Sequence, residues 1–162
     1  MTIKIIGIGN RYRHDDGVGP ALIDLLSNKP LANVEAVSCL CEPASLISAL
    51  SGVKQAVMID ASQSTGTPGQ IQKVEPDQLS PSSQAAASSH GFSLGQALSI
   101  AKALGKMPEH TIVLAVEGLD FGHGEGLSPP VRKALPELLD RVCREIRAMR
   151  SNDVNAGAIH DA

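Results

Sequence analysis

The sequence has almost no aromatic side chains. Its 162 residues hold one Tyr, two Phe and no Trp. Tyr12, Phe92 and Phe121 cannot build a stacking platform for bases or sugars. Basic runs are missing as well. Lys and Arg number 14 against 17 Asp and Glu, a net charge of −3. Such a chain is not built to track phosphates, so no nucleic-acid partner is expected. Long apolar runs are also absent. The stretch after Lys4 is too short for a signal sequence or a membrane span, so no membrane partner is expected either. Cysteine is scarce, at Cys39, Cys41 and Cys143. An odd count without a secretion signal predicts reduced thiols and a cytoplasmic location.

What is present is aliphatic. Apolar residues make up 43% of the chain and charged residues 19%, a balance that folds into one domain with one sizeable core. The reading places that domain over residues 1–150 and a flexible tail over 151–162.

The apolar runs alternate in kind. Ile3 to Ile8 is a short β-branched run, a buried-strand signature. After Val18, helical spacing takes over at Leu22, Leu25 and Leu26. Val34 to Leu40 reads as a second strand, and Leu46, Ile47 and Leu50 as a helix. Ala56 to Ile59 is a third strand, ending at Asp60. Gln70 to Val74, alternating with polar residues, is an edge strand. Gly91 to Leu104 is helical, Thr111 to Val116 is a fifth strand, and Ser128 caps a long final helix with Pro129 and Pro130 in its first turn. Strands alternating with helices predict a three-layer α/β/α fold. Its sheet is twisted and mainly parallel, with about five strands and helices on both faces. In such sheets ligands sit beyond the carboxyl ends of the strands, and that rule selects the residues to inspect.

After the first strand come Gly7-Ile-Gly9-Asn10 and then Asp15-Asp16-Gly17-Val-Gly19. A dinucleotide loop fits poorly, because its third glycine would fall at Tyr12 and two carboxylates would repel a pyrophosphate. An Asp at a helix start can cap it. Two consecutive ones cannot both do so, which frees one for other work. Asp60 follows the third strand, either as a site carboxylate or as a turn residue. His90 precedes the helix at Gly91, where a positive helix end keeps an imidazole neutral and able to bind metal. Two carboxylates and one imidazole suit a borderline divalent ion. Cys39 and Cys41 lack the spacing of paired metal motifs and read as strand thiols. No Gly-x-Ser-x-Gly elbow is present, which favours hydrolysis by activated water over a nucleophilic side chain.

These residues match a family pattern. Gly7-Ile-Gly-Asn10 with Asp15-Asp16-Gly17-Val-Gly19, Ile59-Asp60-Ala61 with Pro68-Gly69, Ser89-His90, and Phe121-Gly with Gly126-Leu127-Ser128-Pro129 span nearly the whole chain. The sequence resembles the maturation proteases of nickel–iron hydrogenases. The resemblance implies an endopeptidase that removes a C-terminal extension from the hydrogenase large-subunit precursor after nickel insertion. It also implies a metal-binding and catalytic triad of Asp16, Asp60 and His90. The nickel would be carried by the precursor, and the protein is expected to act as a monomer. Many members have an Asp-Gly-Gly-Thr-like loop after the second strand. Here that place reads Ser38-Cys39-Leu40-Cys41-Glu42-Pro43. The opening Gly-Ile-Gly-Asn and Tyr12 are also similar to peptidyl-tRNA hydrolases, which carry His-Asn where this chain has His14-Asp15. A third reading, a nickel- or precursor-binding chaperone, would use the same triad without cleaving.

Overall fold

The structure is a computed structural model that describes residues 2–79 and 93–160. In chain order the elements are β1 (Ile3–Ile8), a 3-10 turn (His14–Gly17), α1 (Val18–Asn28), β2 (Val34–Cys39), α2 (Pro43–Leu50) and β3 (Gln55–Ser62). There follow β4 (Ile71–Val74), a second 3-10 turn (Pro76–Gln78), α3 (Leu94–Ala103), β5 (His110–Glu117) and α4 (Pro129–His160). The five strands form one sheet in the order β2-β1-β3-β5-β4. The first four run parallel, and β4 pairs antiparallel with β5 at the edge, as its polar alternation predicts.

The central strands are buried on both faces, which is why they read as continuous apolar runs. On one face Ile3, Ile5, Val57, Ile59, Leu114 and Val116 pack under α1 and α4. On the other, Ile6, Ile8, Ala56, Met58 and Val113 pack under α2 and α3. The chain leaves β1 for β2 on one side and returns past it to β3 on the other. The strand order therefore reverses between β1 and β3, and a crevice opens beyond their carboxyl ends.

Glycine holds the helix to that crevice. A Cβ on Gly19 would lie 2.6 Å from the Ile8 amide nitrogen and 2.8 Å from the Ile59 carbonyl oxygen. A Cβ on Gly7 would lie 2.4 Å from the Gly19 carbonyl oxygen. The first turn of α1 thus rests directly on β1 and β3, and only glycine permits the approach.

Three elements differ from expectation. β3 continues through Asp60 to Ser62 because β5 stays paired with it, Asp60 opposite Ala115 and Ser62 opposite Glu117. Asp60 is therefore inside a strand and not in the loop after it. α3 begins at Leu94, where Ser93 and Gln96 form a reciprocal capping box, and not at Gly91. His90 and Gly91 lie outside the described residues. α4 continues to His160 through the segment read as a tail. Extending a formed helix costs little, and no proline stops it after Ser151.

Candidate functional site

The loop after β1 begins at Gly9, whose φ of +141° turns the chain off the strand. It then winds back over the sheet as the turn His14–Gly17. Neither Asp15 nor Asp16 caps a helix: the residue ahead of the turn is Arg13 and the residue ahead of α1 is Gly17, both without a side-chain cap bond. The two carboxylates go to different places.

Asp15 is fully buried and belongs to the loop between β5 and α4. One oxygen accepts from the Ser128 N–H at 2.7 Å. The other accepts from the Leu119 N–H at 2.8 Å, the Asp120 N–H at 2.9 Å and the Ser128 hydroxyl at 2.7 Å. Burial pushes its pKa up, but these bonds outweigh it and hold the carboxyl below its ordinary range. Ser128, expected as a helix cap, spends its hydroxyl here. Backbone bonds complete the clamp, from His14 to the Gly124 carbonyl at 2.9 Å and from Gly124 to the Tyr12 carbonyl at 2.8 Å. His14, at a φ of +46°, pairs its Nδ1 with the Gly126 carbonyl at 3.0 Å.

Asp16 is 4% exposed and accepts from the Asn10 N–H at 2.9 Å. Burial raises its pKa, against the opposing pull of the Asn10 N–H and the Arg13 charge. Asp60 is 7% exposed and accepts from its neighbour's N–H, that of Ala61, at 2.9 Å. The turn carrying Asp16 packs on β3. Burial first, and the charge of Asp16 second, push the Asp60 carboxyl up to about 8. The two groups share one electrostatic environment, and together they hold a proton near neutral pH.

A third strand-end carboxylate passed unnoticed in the sequence. Glu117 ends β5 and is taken up by the loop after β3, accepting from the Thr65 hydroxyl and from the Thr67 N–H at 2.5 Å. The cysteines lie closer to the pair than their spacing suggested. Cys39 ends β2 on the α2/α3 face, and Cys41 is buried beside it. Burial and then the Asp60 charge push their thiols up to about 11 and about 12, so both stay protonated.

Of the sequence-predicted set, the structure brings Asp16 and Asp60 together, and His90 lies outside the described residues. Among the described residues no group of three or more His, Cys, Asp or Glu gathers to hold a metal ion. Chemically, two carboxylates are hard oxygen ligands that could contribute to holding a divalent ion only together with other donors. A cleft of about 310 Å³ lies beside the turn, lined by Arg11, His14, Ala21 and Gly126 among others. A larger one, about 440 Å³, lies at the opposite end of the sheet and holds none of these carboxylates. No helix among the described residues is long and apolar enough to cross a membrane.

A family model described as hydrogenase maturation protease matches residues 24–145, a span that includes Asp60 and His90 and begins after Asp16. The hydrogenase expression/formation protein HupD of Bradyrhizobium diazoefficiens is 25% identical over 146 residues, 88% of this chain and 76% of that protein. Among solved structures, the hydrogenase maturating endopeptidase HybD from Escherichia coli superposes with a TM-score of 0.77 at 20% identity, covering 92% of this chain and 94% of that one. A hydrogenase maturation protease from Thermococcus kodakarensis gives a TM-score of 0.69 at 19% identity, over 89% and 98%. At these identities the structural likeness shows a shared fold.

Proposed function

Since the chain belongs to the hydrogenase maturation protease family, we propose that it removes the C-terminal extension of a nickel-loaded hydrogenase large-subunit precursor. The observation that carries this reading is the Asp16–Asp60 pair. Two buried carboxylates, each accepting a backbone N–H, lie within electrostatic reach of each other where the strand order reverses. Burying such groups without saturating them costs stability, and folds retain that cost at sites that do chemistry.

Nickel reaches this site on the precursor and belongs to the substrate. Asp16, Asp60 and His90 are the ligands that this chain offers it. Two carboxylates and an imidazole suit a borderline divalent ion, and the precursor supplies the other donors. An empty precursor then lacks the contact that fixes its C-terminal segment over the crevice. The ion's charge favours the ionised form of Asp16, while the buried Asp60 keeps the proton that the pair holds.

The chain's own groups supply acid–base chemistry. An ionised Asp16 accepts a proton from the attacking water, and a protonated Asp60 donates to the departing amine. Asp15, saturated by four bonds, has no part in this exchange. The clamp that it makes holds the turn, and with it Asp16, over β3.

The test is incubation of the protein with nickel-loaded and nickel-free precursor, followed by mass spectrometry of the precursor. The expected result is loss of a C-terminal peptide from the loaded form alone. Equal cleavage of both forms contradicts nickel recognition, and retention of the peptide in both favours the chaperone.

A further inference from the structure

The sheet's other end carries a second polar cleft that the proposed reaction does not use. It has a volume of about 440 Å³ and opens where β3 and β5 begin, between the end of α3 and the later turns of α4. Gln55 to Asp60 is five residues of strand, so this cleft lies about 17 Å from the carboxylate pair.

Two buried polar side chains line it with an atom left over. Gln55 is 2% exposed and Thr111 is 8% exposed. Among the described residues neither Gln55 Oε1 nor Thr111 Oγ1 has a hydrogen-bond partner. The orientation of the Gln55 amide is fixed by its nitrogen, which donates to the Met149 carbonyl at 3.3 Å and to Asp153 Oδ1 at 3.4 Å. Both of those partners accept only, so the amide cannot be reversed and Oε1 remains an unfilled acceptor. An unfilled buried acceptor costs stability. Here two occur in one cleft, within the size range of small-ligand sites.

The charge of the lining points to the ligand. Glu75, Asp77, Glu109 and Glu145 line it together with Lys73 and Lys102. Both lysines are matched, Lys73 to Glu145 at 3.0 Å and Lys102 to Asp77 at 3.3 Å. The excess is acidic, and His110 also lines the wall. Unfilled oxygens on two of the lining residues and an acidic excess among the others select a cation that carries several N–H donors.

We propose that this cleft is a binding site for a guanidinium or primary ammonium group, which fills the Gln55 and Thr111 acceptors. The group comes either from a free small cation or from a basic side chain of a partner protein. The inference is independent of the protease reading, because its readout is binding.

The experiment titrates the isotope-labelled full chain with agmatine, with an end-capped Gly-Arg-Gly peptide and with sodium glutamate, following backbone amide signals by NMR. Saturable shifts at Gln55, Thr111 and Lys102 are expected with a cationic probe and not with glutamate. Thr111→Val removes the hydroxyl without changing shape. It should weaken binding about fivefold while leaving the melting temperature unchanged or raised. Glu145→Gln should weaken binding by a similar factor, through charge. Binding of agmatine alone identifies a free cation, and binding of the peptide identifies a protein side chain. Absence of saturable shifts with both cationic probes, or unchanged affinity in both variants, overturns the proposal.

Discussion

Asp15 and Asp16 are adjacent and buried, and the fold surrounds them in opposite ways. Asp15 sits in a clamp between two loops and accepts from three backbone N–H groups and a hydroxyl. Asp16 accepts from the Asn10 N–H and lies within electrostatic reach of Asp60, which accepts from its neighbour's N–H. Glu117 repeats the first pattern, bound by Thr65 and Thr67. Among the described residues, the carboxylates at this end of the sheet thus divide into saturated ones that tie loops together and ones that each accept a single backbone N–H. Saturation lowers a pKa, and burial without saturation raises it. The same residue type is held low in one setting and pushed up in the other.

The largest expected effect is on the clamp. Asp15→Ala leaves three buried N–H groups and a hydroxyl without their acceptor, and should cost about 3 kcal/mol or more in urea unfolding. A loss below about 1 kcal/mol would mean that the clamp is dispensable, and the contrast with Asp16 would fail.

Next comes the support beneath the pair. Gly19→Ala places a methyl against the backbone of Ile8 and Ile59, whose strands cannot yield. It should cost about 1–3 kcal/mol and reduce processing as the turn carrying Asp16 shifts. Full stability with full activity would show that α1 can lift without disturbing the pair.

A smaller effect, of opposite sign, is expected at the pair. Asp60 has a folded pKa raised to about 8, above its ordinary value of 3.8. Below that ordinary value the group is protonated folded and unfolded, and it costs nothing. As pH rises towards 8 the unfolded chain ionises first, so folding stability falls, and the loss is complete above 8. Asp60→Asn removes this loss. The variant should gain about 1 kcal/mol or more over the parent at pH 8 and almost nothing at pH 4. Asp15 behaves in the reverse sense. Its lowered pKa stabilises the fold above the ordinary carboxylate range, and that contribution disappears as pH falls through the folded value. Thermal melts of both proteins across this range check the two slopes.

Much of this was legible in the residues. The β-branched run Ile3 to Ile8 and the polar alternation of Gln70 to Val74 placed a buried strand and an edge strand, because periodicity reports burial directly. The rule that ligands lie beyond strand ends pointed to the Asp15-Asp16 loop and to Asp60 as places to inspect, and the family resemblance singled out Asp16. What the residues did not reveal depended on contacts distant in sequence. Nothing local distinguishes Asp15 from Asp16, since the donors that saturate Asp15 lie at Leu119, Asp120 and Ser128. Ser128 has the signature of a helix cap, and a tertiary partner claimed its hydroxyl. The extension of β3 through Asp60 depended on its register with β5, which no single strand encodes. The approach of Cys39 and Cys41 to Asp60 came from the order of β2, β1 and β3.

The central claim is that the unsaturated pair does the chemistry while the saturated carboxylate holds the loops. Mass spectrometry of nickel-loaded precursor after incubation with Asp16→Asn and Asp60→Asn tests it most directly. Both variants should fold at least as stably as the parent at pH 8 and process the precursor at least about a hundredfold more slowly. Parental rates of processing by either folded variant would contradict the account.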